Sequence, residues 1–302
     1  MDHHKLTVTS GGQEKTRAAL RAFKWNIAAA FLLALIKISA GIFTASMAVM
    51  ASALDSLMDV ATSIVNLIAL KKASKPPDED HSYGHGKIES LASLFQSIFI
   101  GLTGLFLVFE SGKKLFLGSR MQDIPTGIAT MVFSMAVSIW IALRMNRLHG
   151  KNGSLIVETE RIHYLTDVLT SLGIIFTLIL VSLTGHVIWD LVVSIGLSFY
   201  IFRASYTILR RAIDELLDRS LPPVSKEEIE KMIRTSHPAI VGLHNFRSRQ
   251  VGEQIFLDFH IEIRDENDFR KAHLLTEALI TQIQERYPTA DVTVHFDPEG
   301  ES

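Results

Sequence analysis

Asp55 and Asp59 stand four residues apart in one apolar stretch, and His163 and Asp167 repeat that spacing in another. Residues at i and i+4 share a helix face, roughly 6 Å apart at Cβ. A carboxylate at bilayer depth costs at least ~2.5 kcal/mol on insertion scales, so it persists there with a partner or a task. Joining helices is one such task. Two matched pairs offer a more specific one: three carboxylates and one imidazole complete a four-ligand N/O shell for a divalent cation.

The ligand types narrow the metal. Magnesium and calcium favour oxygen-rich shells of six or more ligands, so one imidazole tilts the site toward a transition metal. Zinc, iron, cobalt, cadmium and manganese all remain open. Without thiolates the binding is moderate, which suits a carrier that must release its ion. A histidine must be neutral to ligate and titrates near physiological pH, so protons and metal compete at His163. That competition is a physical basis for proton-coupled exchange.

Two further clusters carry ligand chemistry. The run Asp78-Glu79-Asp80-His81-Ser82-Tyr83-Gly84-His85 offers Asp78, His81 and His85 in a loop that Pro76 and Pro77 stiffen. It reads either as an exposed metal site or as an ordinary polar loop. Near the C-terminus, His260, His295 and Asp297 fall on the polar faces of two alternating segments, with His244 and His273 as candidate neighbours. Those faces favour metal binding over chance surface histidines.

Composition limits the alternatives. Hydrophobic residues make up 48% of the 302-residue chain and the net charge is −2; mean hydropathy is +0.25. That balance fits a membrane domain joined to a soluble one and gives no nucleic-acid footprint. The chain has no cysteine, which excludes disulfides, thiolate metal sites and cysteine redox chemistry. Residues 1–24 are polar without a signal-peptide pattern, and His3 and His4 read as tail residues. No His-Glu-x-x-His motif is present, so an enzyme is not expected.

The elements that must position these groups follow from hydropathy. Six stretches suffice to cross a bilayer, near 24–43, 47–70, 88–112, 123–144, 161–184 and 187–207. Lys37 and the two aspartates interrupt the first two. Thr44–Ala45–Ser46 and Thr184–Gly185–His186 are short enough for tight hairpins. Lys15, Arg17, Arg21 and Lys24, then Lys71, Lys72 and Lys75, then Arg144, Arg147 and Lys151, then Arg210 and Arg211 fall on one side. Lys113, Lys114 and Arg120 oppose them and are outnumbered, which predicts cytoplasmic N- and C-termini.

Beyond residue 208 the pattern changes. Ser225–Arg234 reads as an amphipathic helix with Ser225 and Glu228 as a capping box. Residues 254–263 alternate, with Ile255, Leu257, Phe259, Ile261 and Ile263 on one face and Asp258, His260 and Glu262 on the other. With strands near 240–249 and 291–297 and a helix over 272–286, the order is αββαβ. The expected fold is an α-helical membrane protein with six transmembrane helices plus a small α+β (αββαβ) cytoplasmic domain. Its divisions are a cytoplasmic tail over 1–23, the membrane domain over 24–208, and a cytoplasmic metal-binding domain over 209–302.

The Asp-x-x-x-Asp and His-x-x-x-Asp pairs, the His81–Lys87 loop His-Ser-Tyr-Gly-His-Gly-Lys and the C-terminal His295-Phe296-Asp297-Pro298 together resemble the cation diffusion facilitator family. The likeness is to its bacterial zinc and ferrous-iron efflux type and spans nearly the whole chain. It implies a transport site of Asp55, Asp59, His163 and Asp167, and a loop site of Asp78, His81 and His85. It also implies a binuclear cytoplasmic site of His244, His260, His273, His295 and Asp297 that supports a homodimer, and a charge interlock between Lys87 and Asp218. The function it implies is proton-coupled antiport, by alternating access, of a divalent transition metal out of the cytoplasm across the bacterial inner membrane. Zinc is the expected cargo and the expected structural or regulatory ion; cadmium and ferrous iron are the alternatives. Phe296 stands where some relatives carry a polar residue, and its place on the apolar face excludes an extra side-chain ligand there. A membrane metal sensor or scaffold that binds zinc without moving it is the competing reading.

Overall fold

The computed structural model describes the backbone of residues 10–44, 47–117, 124–152, 154–186, 188–252, 254–264 and 269–300. His3, His4, Arg120 and the Ala45–Ser46 link lie outside the described residues, as does the side chain of Asp55. The chain divides into two compact units, one of Glu14–Ile213 and one of Met1–Gln13 with Asp214–Ser302.

The first unit is built from six long helices: α1 Ser10–Thr44, α2 Met47–Ala73, α3 Lys87–Leu117, α4 Ile124–Asn152, α5 Leu155–Thr184 and α6 Ile188–Leu216. Each reaches or passes the bounds that hydropathy suggests at one end or both. The apolar run marks only the part of a helix that needs lipid, whereas backbone hydrogen bonding continues through polar ends. The segment expected as a tail is therefore helical from Ser10.

Among the described residues, four stretches are apolar enough to cross a membrane by length and composition: Thr16–Ser39, Lys87–Phe109, Met131–His149 and Leu191–Leu216. Helices α2 and α5 have 27 and 30 residues, beyond the ~20 that a bilayer core requires. What distinguishes them is their polar cargo: Asp55 and Asp59 on α2; Glu158, Glu160, Arg161, His163 and Asp167 on α5.

Packing places the polar groups inside. Helix α3 buries Ser90, Ser93, Gln96, Ser97 and Ile100 on one stripe and exposes Phe95, Phe99, Phe106 and Phe109 on the other. An apolar outside and small polar inside are what lipid selects, because tails offer no hydrogen-bond partners. Small residues bring backbones together: Ser205 Oγ donates to the Ser97 carbonyl at 2.6 Å and Ser198 Oγ to the Gly104 carbonyl at 2.6 Å, joining α6 to α3. At Gly173 an added Cβ would lie 2.2 Å from Leu197 Cδ1, so a side chain there would force Leu197 to move.

The second unit follows the expected order: α7 Pro223–Ser236, β1 Ile240–Val251, β2 Gln254–Ile263, α8 Phe269–Arg286 and β3 Ala290–Pro298. The sheet runs β1-β2-β3, with β1 antiparallel and β3 parallel to β2. Ile229 and Ile233 of α7, and Leu279 and Ile283 of α8, pack with Leu257, Phe259, Ile261 and Ile263 in one core. Both helices thus cover the same sheet face. The opposite face carries the histidines.

The capping box is not formed. Helix α7 starts at Pro223 with Pro222 as N-cap and no side-chain capping bond. Proline is preorganised for a first helical position, so the start moves ahead of Ser225.

Candidate metal centres

In the membrane unit, α2 and α5 bring Asp59, His163 and Asp167 together. His163 Nε2 lies 3.2 Å from Asp59 Oδ1 and 3.9 Å from Asp167 Oδ2. One ligand atom from each of the three falls within 4.8 Å of the others. All three are half-buried. Asp55 lies one turn earlier on α2, and its side chain is outside the described residues.

Directly beside this group is a buried network that the ligand spacing does not reveal. Glu160 is fully buried. Its Oε1 accepts from Ser63 Oγ at 2.7 Å, and its Oε2 accepts from Asn66 Nδ2 at 2.6 Å and Gln96 Nε2 at 3.3 Å. Asn66 Nδ2 also donates to Gln96 Oε1 at 2.8 Å. The available sequence signal is that Glu160 precedes His163 by three residues and so shares its helix face.

The loop between α2 and α3 folds around Asp78. Its Oδ1 accepts from the His81 backbone N–H at 2.7 Å and faces His81 Nδ1 at 3.2 Å; its Oδ2 faces His85 Nε2 at 3.3 Å. The two imidazoles lie 4.6 Å apart between centroids. Gly84 supports the turn at a φ of 80°, a conformation that costs a side-chain-bearing residue. Burial would raise the Asp78 pKa, but the His81 backbone and side-chain hydrogen bonds and the nearby His85 and His81 charges outweigh it and hold the carboxyl below its usual value. An ionised carboxylate with two imidazoles can take a divalent cation.

In the second unit, strand register makes the site. His244 pairs with His260 across β1–β2, and His260 pairs with His295 across β2–β3. Asp297 joins them: its Oδ2 lies 3.1 Å from His244 Nε2 and 3.0 Å from His260 Nδ1, and its Oδ1 lies 2.9 Å from His295 Nδ1. One carboxylate thus has a histidine pair at one oxygen and a third histidine at the other. Partial burial would raise the Asp297 pKa, but the His260 hydrogen bond and the His295, His260 and His244 charges keep it low.

Glu262 was not among the expected ligands, although strand alternation puts it on the same face as His260. Its Oε1 sits 3.5 Å from His244 Nδ1. Gly242 makes the space, because a Cβ there would lie 2.6 Å from Glu262 Cδ. His273 does not join this group. It is exposed on α8, and α8 covers the opposite, apolar face of the sheet. Phe296 packs against that core, 5.7 Å from the Phe269 ring between centroids. Asp218 pairs with Arg249 at 3.2 Å.

Residues 24–217 match the cation efflux transmembrane domain, and residues 221–299 match the cation efflux protein cytoplasmic domain. The chain is 30% identical over 275 residues to Protein p34 of Rickettsia prowazekii, covering 91% of each. It is 35% identical over 287 residues to the cation-efflux pump FieF of Salmonella arizonae, covering 95% of this chain and 94% of the relative. A solved structure of CzrB in its Zn form is 30% identical over 28% of this chain and 94% of its own, with a TM-score of 0.25. A fold of long apolar helices with an α+β C-terminal domain accompanies these matches. The chain belongs to the cation efflux family, the cation diffusion facilitators, which are multi-pass membrane transporters rather than enzymes.

Proposed function

We propose that this protein exports a divalent transition metal from the cytoplasm in exchange for protons, with zinc as the principal cargo. The observation that carries the reading is the convergence of Asp59, His163 and Asp167 from the long helices α2 and α5, with ligand atoms within 4.8 Å of one another. Asp55 is the fourth ligand of the proposed transport site, one turn from Asp59 on α2. Zinc suits a mixed imidazole and carboxylate set in tetrahedral geometry. The names of the relatives agree, since FieF is a cation-efflux pump and CzrB is described in a Zn form.

Protons drive the cycle by competing for the same atoms. In the inward-facing state, carboxylates and a neutral imidazole take the ion from the cytoplasm. Once the site faces outward, protonation of these ligands releases it. In this reading the chain sits in the bacterial inner membrane with both termini cytoplasmic, an orientation that the excess of Lys/Arg in the loops on that side supports. Asp78, His81 and His85 form a loop site. His244, His260, His295 and Asp297 form a cytoplasmic site in which Asp297 bridges two metal positions, and metal there steadies a homodimer.

The test is zinc flux into proteoliposomes under an imposed pH gradient, comparing wild type with Asp167→Ala. Gradient-dependent flux that the substitution abolishes supports the reading. Zinc binding without flux in the wild type would leave a metal sensor in its place. A metal panel in the same assay ranks zinc against cadmium and ferrous iron.

A further inference from the structure

Ser56, Asp59 and Ser63 occupy one stripe of α2, at i, i+3 and i+7. The two serines each hold a buried charge, and the charges are opposite. Ser56 Oγ accepts from Lys37 Nζ of α1 at 2.8 Å, and Ser63 Oγ donates to Glu160 Oε1 of α5 at 2.7 Å. Lys37 is 5% exposed and Glu160 0%. Asp59 lies between them along the helix, and His163 is one turn from Glu160 on α5.

The hydrogen bonds suit Glu160 as an acceptor at both oxygens. Its Oε2 faces only amide NH2 groups, from Asn66 and Gln96, and an amide NH2 cannot accept. The donors around Glu160 are neutral side chains, so its charge is dispersed but not cancelled. A cation arriving at Asp59 and His163 meets a fixed negative charge one turn away on one side. On the other side it meets a fixed ammonium.

We propose that Lys37 and Glu160 are an opposed pair of buried charges that sets the metal affinity of the Asp59–His163–Asp167 site, Glu160 tightening it and Lys37 loosening it. Neither side chain is assigned as a ligand; both act through space. The Coulomb effect of a unit charge at this range in a protein interior is on the order of tenfold or more in an equilibrium constant. Lys37 also offsets part of the negative charge of three clustered carboxylates, which reduces the cost of the empty site in a bilayer. With the Lys71–Lys72 end of α2 cytoplasmic, Glu160 lies on the entry side and Lys37 on the exit side. The proposal rests on the transport reading of this site.

The test uses the full-length protein, measuring zinc flux in proteoliposomes and equilibrium zinc binding in detergent. Lys37→Met should lower the apparent KM about tenfold and also lower maximal flux, because the ion leaves more slowly. Glu160→Gln should raise the apparent KM by a similar factor. Lys37→Arg and Glu160→Asp keep the charges and should stay near wild type. The double variant Lys37→Met/Glu160→Gln should return toward the wild-type KM. A scaffolding role predicts losses of the same sign in both singles and a worse double, and that result would overturn the proposal. If one neutral variant fails to fold, the sign of the other still decides. Absence of flux in the wild type would instead remove the transport reading, and zinc affinities that still shift in opposite directions would keep the charge effect.

Discussion

His163 Nε2 lies 3.2 Å from Asp59 Oδ1, although 104 residues separate the two in the chain. This contact ties α2 to α5 through groups that must part from each other when a cation comes between them.

Replacing Asp59 with Asn preserves size and removes the ionic ligand. Losing even an outer partner of a metal ligand costs 10- to 100-fold in affinity, so a ligand should cost at least about that. The expected result is loss of zinc flux, while zinc binding at the C-terminal domain, measured by calorimetry, stays intact. Flux near wild type would show that Asp59 is not a ligand.

Gly242→Ala tests the crowding behind His244. A Cβ at 242 must displace the Glu262 carboxyl, and with it the neighbour of His244 Nδ1. Overpacking of this kind costs roughly 1–3 kcal/mol. We expect a lower melting temperature and weaker zinc binding at the C-terminal site; Glu262→Ala in the same background should recover the stability but not the binding. Scanning calorimetry with and without zinc separates the two effects.

Asp297 gives a pH prediction. Its folded pKa is below the ordinary 3.8, so its contribution to stability is present above that value and disappears as pH falls through the lowered one. The C-terminal unit has its own core, and a fragment of residues 209–302 should fold alone. Its urea midpoint, measured without metal from pH 5 to 2, should fall less steeply below pH 4 in Asp297→Asn than in the wild type. Parallel curves would mean that the histidines do not stabilise this carboxylate.

In the α2–α3 loop, His85→Ala removes the imidazole beside Asp78 Oδ2 and leaves the His81 backbone bond to Oδ1. The turn should therefore survive while loop metal binding falls at least tenfold, on the scale of a lost coordination partner. Isothermal titration of this variant should lose one weak class of site, with flux at saturating zinc unchanged.

Periodicity determined how much could be read ahead. The alternation of Ile255 to Ile263 allows one buried face only, so His260 and Glu262 had to lie on the other; the sheet then needed only its register to align His244, His260 and His295. The i, i+4 pairs were equally legible, because helix geometry alone places each pair on one face. Glu160 was not. Its partners Asn66 and Ser63 are 94 and 97 residues away, and no local pattern encodes a contact between helices. Within one protomer His273 stands apart for the complementary reason: proximity in sequence to the histidine strands says nothing about which sheet face a helix covers. The Ser225–Glu228 box lost to Pro222-Pro223, whose fixed φ begins the helix earlier.

Gly173 and the two serines of α6 limit how the membrane unit can move. A methyl group at Gly173 would press on the Leu197 side chain, so α5 and α6 approach closely there. Ser198 and Ser205 fasten α6 in turn to the α3 backbone at two levels. Serine-to-carbonyl bonds thus hold α6 to α3, while His163 and Asp167 are carried by α5. Ser63 and Asn66 of α2 also bind Glu160 of α5, so a stroke that turns these ligands toward a different aqueous compartment has to rearrange those bonds together with the Asp59–His163 contact.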